Sequence, residues 1–146
     1  MQIRKVVNLT GPKGSKSIEV IIDTGAEITT IPKPLVDKLT DTYSDKKLNL
    51  RSLSGHMTEA KITVLKLSFP TLNNISYIGE IAVVNNENII LIGLDILNAL
   101  NIHVDSKNKD IYVPNEMLEA ATKGLAVVGG AAIITTFLYL LFGRKK

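Results

Sequence analysis

The chain has 146 residues, room for one ordinary domain with a short appendage. It has no Cys, which excludes disulfides, thiolate metal sites and a Cys nucleophile, and no Trp and few aromatics, which argues against a base-stacking surface. The formal charge of +3 belongs to the C-terminal end: residues 1–122 hold 13 Lys/Arg against 14 Asp/Glu, the other cations being Lys123, Arg144, Lys145 and Lys146, so the charge gives no case for a nucleic-acid partner.

Residues 1–9 read as a strand on the apolar positions Ile3, Val6, Val7 and Leu9; the run is too short for a signal-peptide core. Residues 10–17 read as a hairpin loop. Its Gly14-Ser15-Lys16-Ser17 ending lacks phosphate-loop spacing and precedes a strand rather than a helix. Ile18 to Ile22 is a strand that runs straight into Asp23-Thr24-Gly25-Ala26. Aspartate is depleted in strands, and a local rule broken at the end of a good strand marks a functional candidate. The bland alternative is a turn acid bonding the local backbone beside a Gly.

Ile28 to Ile31 is a second short β-prone run, and Pro32 and Pro34 open a helix expected to reach Leu39. Residues 46–53 and 57–69 form two arms of a long hairpin around Ser54-Gly55-His56, with clear alternation at Ile62, Val64, Leu65 and Leu67. Ile75 to Val84 is a strand. Ile89-Ile90-Leu91-Ile92 is a continuous apolar run, as in a strand buried on both faces, and Gly93 ends it before a short helix over 94–100. A final hairpin joins 101–104 to 110–113, and Pro114 ends the globular domain, 1–114.

Residues 115–123 read as a polar linker. Residues 124–143 then contain no charge, followed by Arg144-Lys145-Lys146 as a basic tail, 144–146. A helix of that length spans about 30 Å, the thickness of a bilayer's hydrocarbon core. An all-round apolar helix otherwise needs a large enclosing core, which a small β domain lacks. The segment 124–143 is therefore expected to be a transmembrane helix, a single-pass C-terminal anchor. A tail anchor would leave the preceding domain in the cytoplasm.

Three segments, in order, resemble the retropepsin-like aspartic peptidases: Ile22-Asp23-Thr24-Gly25-Ala26; the hairpin Leu53-Ser54-Gly55-His56-Met57, in the position of that family's flap; and Leu91-Ile92-Gly93-Leu94-Asp95-Ile96-Leu97, similar to its hydrophobic-hydrophobic-Gly signature. The resemblance covers residues 3–113. It implies an all-β acid-protease fold, closed barrel-like sheets with a flap hairpin and one or two short helices. It also implies a homodimer in which each chain supplies one catalytic Asp23. Two like charges at close range cannot both ionise, so the pair would share one proton. The charged Asp23 would take a proton from a water and the neutral one would donate to the scissile carbonyl, with no covalent adduct and no cofactor.

The resemblance assigns further roles. Thr24 would cross the dimer axis to the opposite loop, and Gly25 would let backbone approach the carboxylates. Ala26 lacks the hydroxyl that Ser or Thr would turn to the charged carboxylate, so the pH optimum is expected to be less acid than pepsin's. Glu27, Ser54, Gly55 and His56 would line or cover an extended peptide bound as an added strand, with Gly55 giving the flap tip its freedom. Ile92 and Gly93 would support the site from behind. The sequence also departs from retroviral members, which pair an acid after the Asp-Thr-Gly-Ala with an Arg after the later Gly. Glu27 can fill the first role, but Leu94 stands in place of the Arg. Asp95 is of the kind seen in cellular and bacterial-type relatives and is expected to be structural.

His56 and His103 read as solvated loop residues. Two separated His without Cys make a poor metal site, and no Gly-x-Ser-x-Gly elbow is present. Two function classes stand: a membrane-anchored homodimeric aspartic endopeptidase, or a non-catalytic dimerisation or peptide-binding module on the same fold. The second would not need Asp23.

Overall fold

The computed structural model describes residues 2–51, 55–85 and 88–114, together with the backbone of 127–129. The architecture follows from two long antiparallel hairpins whose inner faces are apolar. In the first, β1 (Ile3–Gly11) pairs with β2 (Gly14–Ile22) from Ile3↔Ile22 through Gly11↔Gly14. Ile3, Val7 and Leu9 of β1 and Val20 and Ile22 of β2 point into the core. The turn is Pro12-Lys13 alone, so the loop expected over 10–17 is much shorter than its composition suggests. Ser15, Lys16 and Ser17 are exposed rungs of an intact ladder, and their polarity reports solvent exposure rather than loss of pairing.

After the loop that carries Asp23 come β3 (Thr30–Pro32) and α1 (Lys33–Val36). The helix ends earlier than the expected Leu39: residues 37–39 are turn, pinned where Lys13 Nζ donates to the Asp37 carbonyl at 2.9 Å and Lys13 N–H to that of Leu39 at 2.9 Å. Next, β4 (Lys47–Arg51) and β5 (Met57–Phe69) form the arms of the candidate flap, paired from Lys47↔Lys61 to Arg51↔Met57. A 3-10 turn at Pro70–Leu72 reverses the chain into β6 (Ile75–Val84), which pairs with β5 over nine rungs from Lys61↔Val83 to Phe69↔Ile75.

Strand β7 (Ile90–Ile92) enters between β2, to which it is parallel, and β3, to which it is antiparallel. Ile90 and Ile92 are buried in the core and Leu91 is half-buried on the opposite face, whereas Ile89, part of the expected apolar run, precedes the strand and is exposed. The strands β6, β3, β7, β2, β1 and β5 close on themselves, β5 pairing back to β6, as a six-strand barrel. Closure leaves few open edges, and the barrel is filled by residues such as Leu9, Ile31, Leu65, Leu67, Phe69, Ile81 and Ile92. Helix α2 (Leu94–Ala99) and a small hairpin, β8 (His103–Asp105) with β9 (Asp110–Tyr112), complete the described core.

The expected helix over 124–143 meets one observation. Val127–Gly129 is extended, a short strand β10 that pairs in parallel with Tyr77–Gly79 of β6. Two consecutive Val favour a strand, and β3 covers β6 only at Ala82–Val84, which leaves the edge at 77–79 open to a partner. The rest of 124–143, with the linker 115–123 and the basic tail, lies outside the described residues. Among the described residues, no helix is long and apolar enough to cross a membrane.

Candidate active site

Asp23 is the first residue past β2, and its position is set by backbone. Its N–H donates to the Ile92 carbonyl at 2.9 Å, which ties the end of β2 to the end of β7. Its carbonyl accepts the N–H of Ala26 at 3.2 Å, and its Oδ1 accepts the N–H of Gly25 at 3.0 Å. That last bond is one a plain turn aspartate would also make. What distinguishes this loop is the bracing behind it. The N–H of Leu94 donates to the Ala26 carbonyl at 2.8 Å, and that of Asp95 to the Glu27 carbonyl at 3.1 Å. Asp23 is half-buried, while Thr24 and Gly25 at the loop tip are exposed. An exposed Thr-Gly tip on a rigidly braced loop is available to meet another surface.

Gly93 shows how tight the bracing is. A Cβ there would stand 2.7 Å from the Ala26 carbonyl oxygen and 2.8 Å from the Ile28 carbonyl carbon, closer than real side chains come. A Cβ on Gly25 would lie 3.2 Å from Asp23 Oδ1. Ile92 is fully buried behind the loop. Ala26 is half-buried and Glu27 exposed; among the described residues Glu27 forms no salt bridge.

On the hairpin, Gly55 takes φ +85°, a left-handed conformation that its lack of Cβ permits. His56 and Met57 beside it are exposed, and Ser54 lies outside the described residues. His103 is not in a loop as expected. It opens β8, stays exposed, lies 5.3 Å centroid to centroid from the Tyr112 ring, and its Nε2 is 3.1 Å from Asn101 Oδ1. Among the described residues no three His, Asp or Glu side chains gather to hold a metal ion.

Sequence reasoning missed Thr29. It is wholly buried, and its hydroxyl donates to Asp95 Oδ1 at 2.7 Å. A Thr among Ile28, Thr30 and Ile31 looks like any β-prone residue; the one available signal was an acid two positions past Gly93 in search of donors. Tyr77 packs nearby. Burial, with the charges of Asp95 and Glu80, pushes its hydroxyl up to about 12.

The overall architecture, a closed six-strand barrel with few short helices, has a counterpart among solved structures. The chain superposes on the EIAV protease complexed with the inhibitor HBY-793 with a TM-score of 0.55 and 16% identity, covering 72% of this chain and 93% of that one. The fold is retropepsin-like. No protein-family model matches the chain, and no curated protein matches it. At such identity the likeness is one of architecture, with activity left to the site's own chemistry.

Proposed function

We propose that the chain is an aspartic endopeptidase that works as a homodimer, one Asp23 from each subunit. The observation that carries this reading is the Asp-Thr-Gly loop, braced by Ile92, Leu94 and Asp95 within a retropepsin-like barrel, with its acid half-buried and its tip exposed. A single protomer supplies one such carboxylate, so the acid–base pair needs a second copy. Thr24 would bond the partner loop across the two-fold axis and hold the two acids together. With one proton shared, one Asp23 activates water while the other protonates the scissile carbonyl, and the tetrahedral intermediate collapses to two peptides.

The substrate would be an extended peptide laid under the 47–69 hairpin, bound through backbone hydrogen bonds and alternating pockets. Exposed Ile28 and Met57 are apolar groups available to such a peptide. Membrane attachment through 124–143, with the peptidase on the cytoplasmic side, belongs to the same reading. Confinement would raise the effective concentration of two weakly associating domains.

The test is peptide cleavage by the full-length protein in mild detergent, from about pH 3 to pH 8, beside Asp23→Asn. The wild type should cleave, and the variant should lose about 10²–10⁴-fold or more of that rate. Equal rates would remove Asp23 as catalyst. A wild type that dimerises and binds peptides without cutting them would instead support a binding module.

A further inference from the structure

Asp95 sits in the first turn of α2, two residues past Gly93, and its carboxylate is turned back onto the loop of Asp23. Both its oxygens accept the N–H of Thr29, at 3.0 and 3.1 Å. Oδ1 also accepts the Thr29 hydroxyl at 2.7 Å and the N–H of Ile96 at 2.8 Å. Thr29 Oγ1 in turn accepts the N–H of Gly93 at 2.9 Å. The directions are fixed by chemistry, since an ionised carboxylate only accepts and an amide N–H only donates. A chain of bonds therefore runs from Gly93 N–H to Thr29 Oγ1 and from the Thr29 hydroxyl to Asp95. Thr29 is 0% exposed, so none of its polar groups can turn to water instead.

This bond chain closes the rear of the loop whose front is closed by Asp23 N–H on the Ile92 carbonyl. The front clamp is all backbone and indifferent to sequence. The rear clamp is made by two side chains, one of them charged, and charge-assisted bonds are the stronger kind. We propose that Asp95 and Thr29 are the positioning pair of the Asp23 loop, fixing from within one protomer where the acid is presented. Neither touches substrate; they act through residues 24–28, whose Ala26 and Glu27 carbonyls also accept the N–H groups of Leu94 and Asp95. The catalytic consequence rests on the aspartic-peptidase reading, whereas the clamp itself does not.

Three variants of the full chain test the pair. Asp95→Asn keeps the volume but leaves one acceptor oxygen and sets an amide donor against Thr29 N–H. Thr29→Val keeps the shape without the hydroxyl, and Thr29→Ser keeps the hydroxyl, so Thr29 variants decide the matter even where Asp95→Asn fails to fold. Amide hydrogen exchange is read first, because it needs no activity. Asp95→Asn and Thr29→Val should speed exchange at Gly25–Thr29 and Gly93 by about tenfold or more, with the rungs of β5 and β6 unchanged and Thr29→Ser close to the wild type. No change at the loop, or an equal change in β5 and β6, overturns the pair as a local clamp. In cleavage assays the same two variants should lose about 10–100-fold in kcat with KM nearly unchanged, and Thr29→Ser should restore it. Wild-type kcat in Asp95→Asn overturns the proposal. A wild type that cleaves nothing refutes the peptidase reading instead, and the exchange result then judges the clamp alone.

Discussion

The N–H of Asp23 donates to the carbonyl of Ile92 at 2.9 Å, and this one bond aligns two parallel strands at the point where both end. Because Ile22 and Ile92 are partners in register, the next residue on each strand, Asp23 and Gly93, must leave the sheet side by side. One carries the acid, and the other must carry no side chain. The loop following Asp23 then folds over Gly93 and is caught by the first turn of α2.

Gly93→Ala should therefore disturb stability and site together. Its Cβ would meet the backbone at Ala26 and Ile28, which cannot rotate away as a flexible side chain could. Overpacking of this kind costs about 1–3 kcal/mol. Urea denaturation should show a lower midpoint with an unchanged slope, and cleavage should fall with it. A midpoint equal to the wild type's would mean that the loop yields freely and that the bracing is weak.

The acid and alkaline limits of stability should trace in part to one cluster beside α1. Lys33 Nζ lies 2.7 Å from Asp37 Oδ2, and the Tyr43 hydroxyl donates to Asp37 Oδ1 at 2.6 Å. The Lys33 bond first, then the Tyr43 bond, holds the Asp37 carboxyl below its ordinary 3.8. A depressed carboxyl contributes stability above its unfolded value and loses it as pH falls, so the contribution disappears below about pH 3.8. Burial, then the Asp37 bond, pushes the Tyr43 hydroxyl well up from 10.0, so its contribution is whole below pH 10.0 and is lost as pH rises beyond it. Asp110, bonded to Lys5, and Asp105, bonded to Asn108, share the acid window. Denaturation midpoints across pH should form a plateau with both flanks. Asp37→Asn should flatten the acid flank partly, and Tyr43→Phe should soften the alkaline one. Flanks unchanged in both variants would exclude the cluster.

Much of the framework around the candidate site was legible because it is built from strong local signals. The apolar run 89–92 ended by Gly93, the alternation of β5 and the acid after Ile22 each break or obey a short-range rule. Less was legible where tertiary contact decides. Ser15 to Ser17 read as loop because both faces of a hairpin arm can be polar in solvent. α1 stops at Val36 because the N–H groups of Lys38 and Leu39 bond three residues back, to Leu35 and Val36, which tightens the last turn out of the α-helix. Thr29 was invisible because its partners stand 64 and 66 residues away. The Val127–Gly129 strand depends on an open edge of β6 that periodicity cannot reveal.

Gly55→Ala probes the candidate flap. At φ +85° with open space around it, an Ala meets no neighbour and is strained only by its own backbone, at about 1–2 kcal/mol. The barrel lies elsewhere, so global stability should fall by less than this if the tip relaxes. Cleavage should fall through kcat and KM together, as hinge and lid changes do. Steady-state kinetics on several peptides gives the check; unchanged constants would remove the hairpin tip from substrate capture.

The C-terminal segment poses a choice between two placements. A helix over 124–143 would be long enough to span a bilayer, but residues 127–129 pair with β6 as a strand. The stretch left after Gly130, 131–143, would reach only about 20 Å as a helix, short of a hydrocarbon core of about 30 Å. Insertion therefore requires β10 to leave β6. Full-length protein mixed with liposomes should float, and exchange at Tyr77–Gly79 should then speed up as that edge loses its partner. Ile134→Asp, at the middle of the apolar stretch 124–143, adds a penalty of about 2.5–3.5 kcal/mol to insertion and should reduce flotation. Flotation without faster exchange at Tyr77–Gly79 would show that the membrane is reached with β10 in place. Protein that stays in the aqueous fraction would show that the apolar segment serves the domain rather than a bilayer.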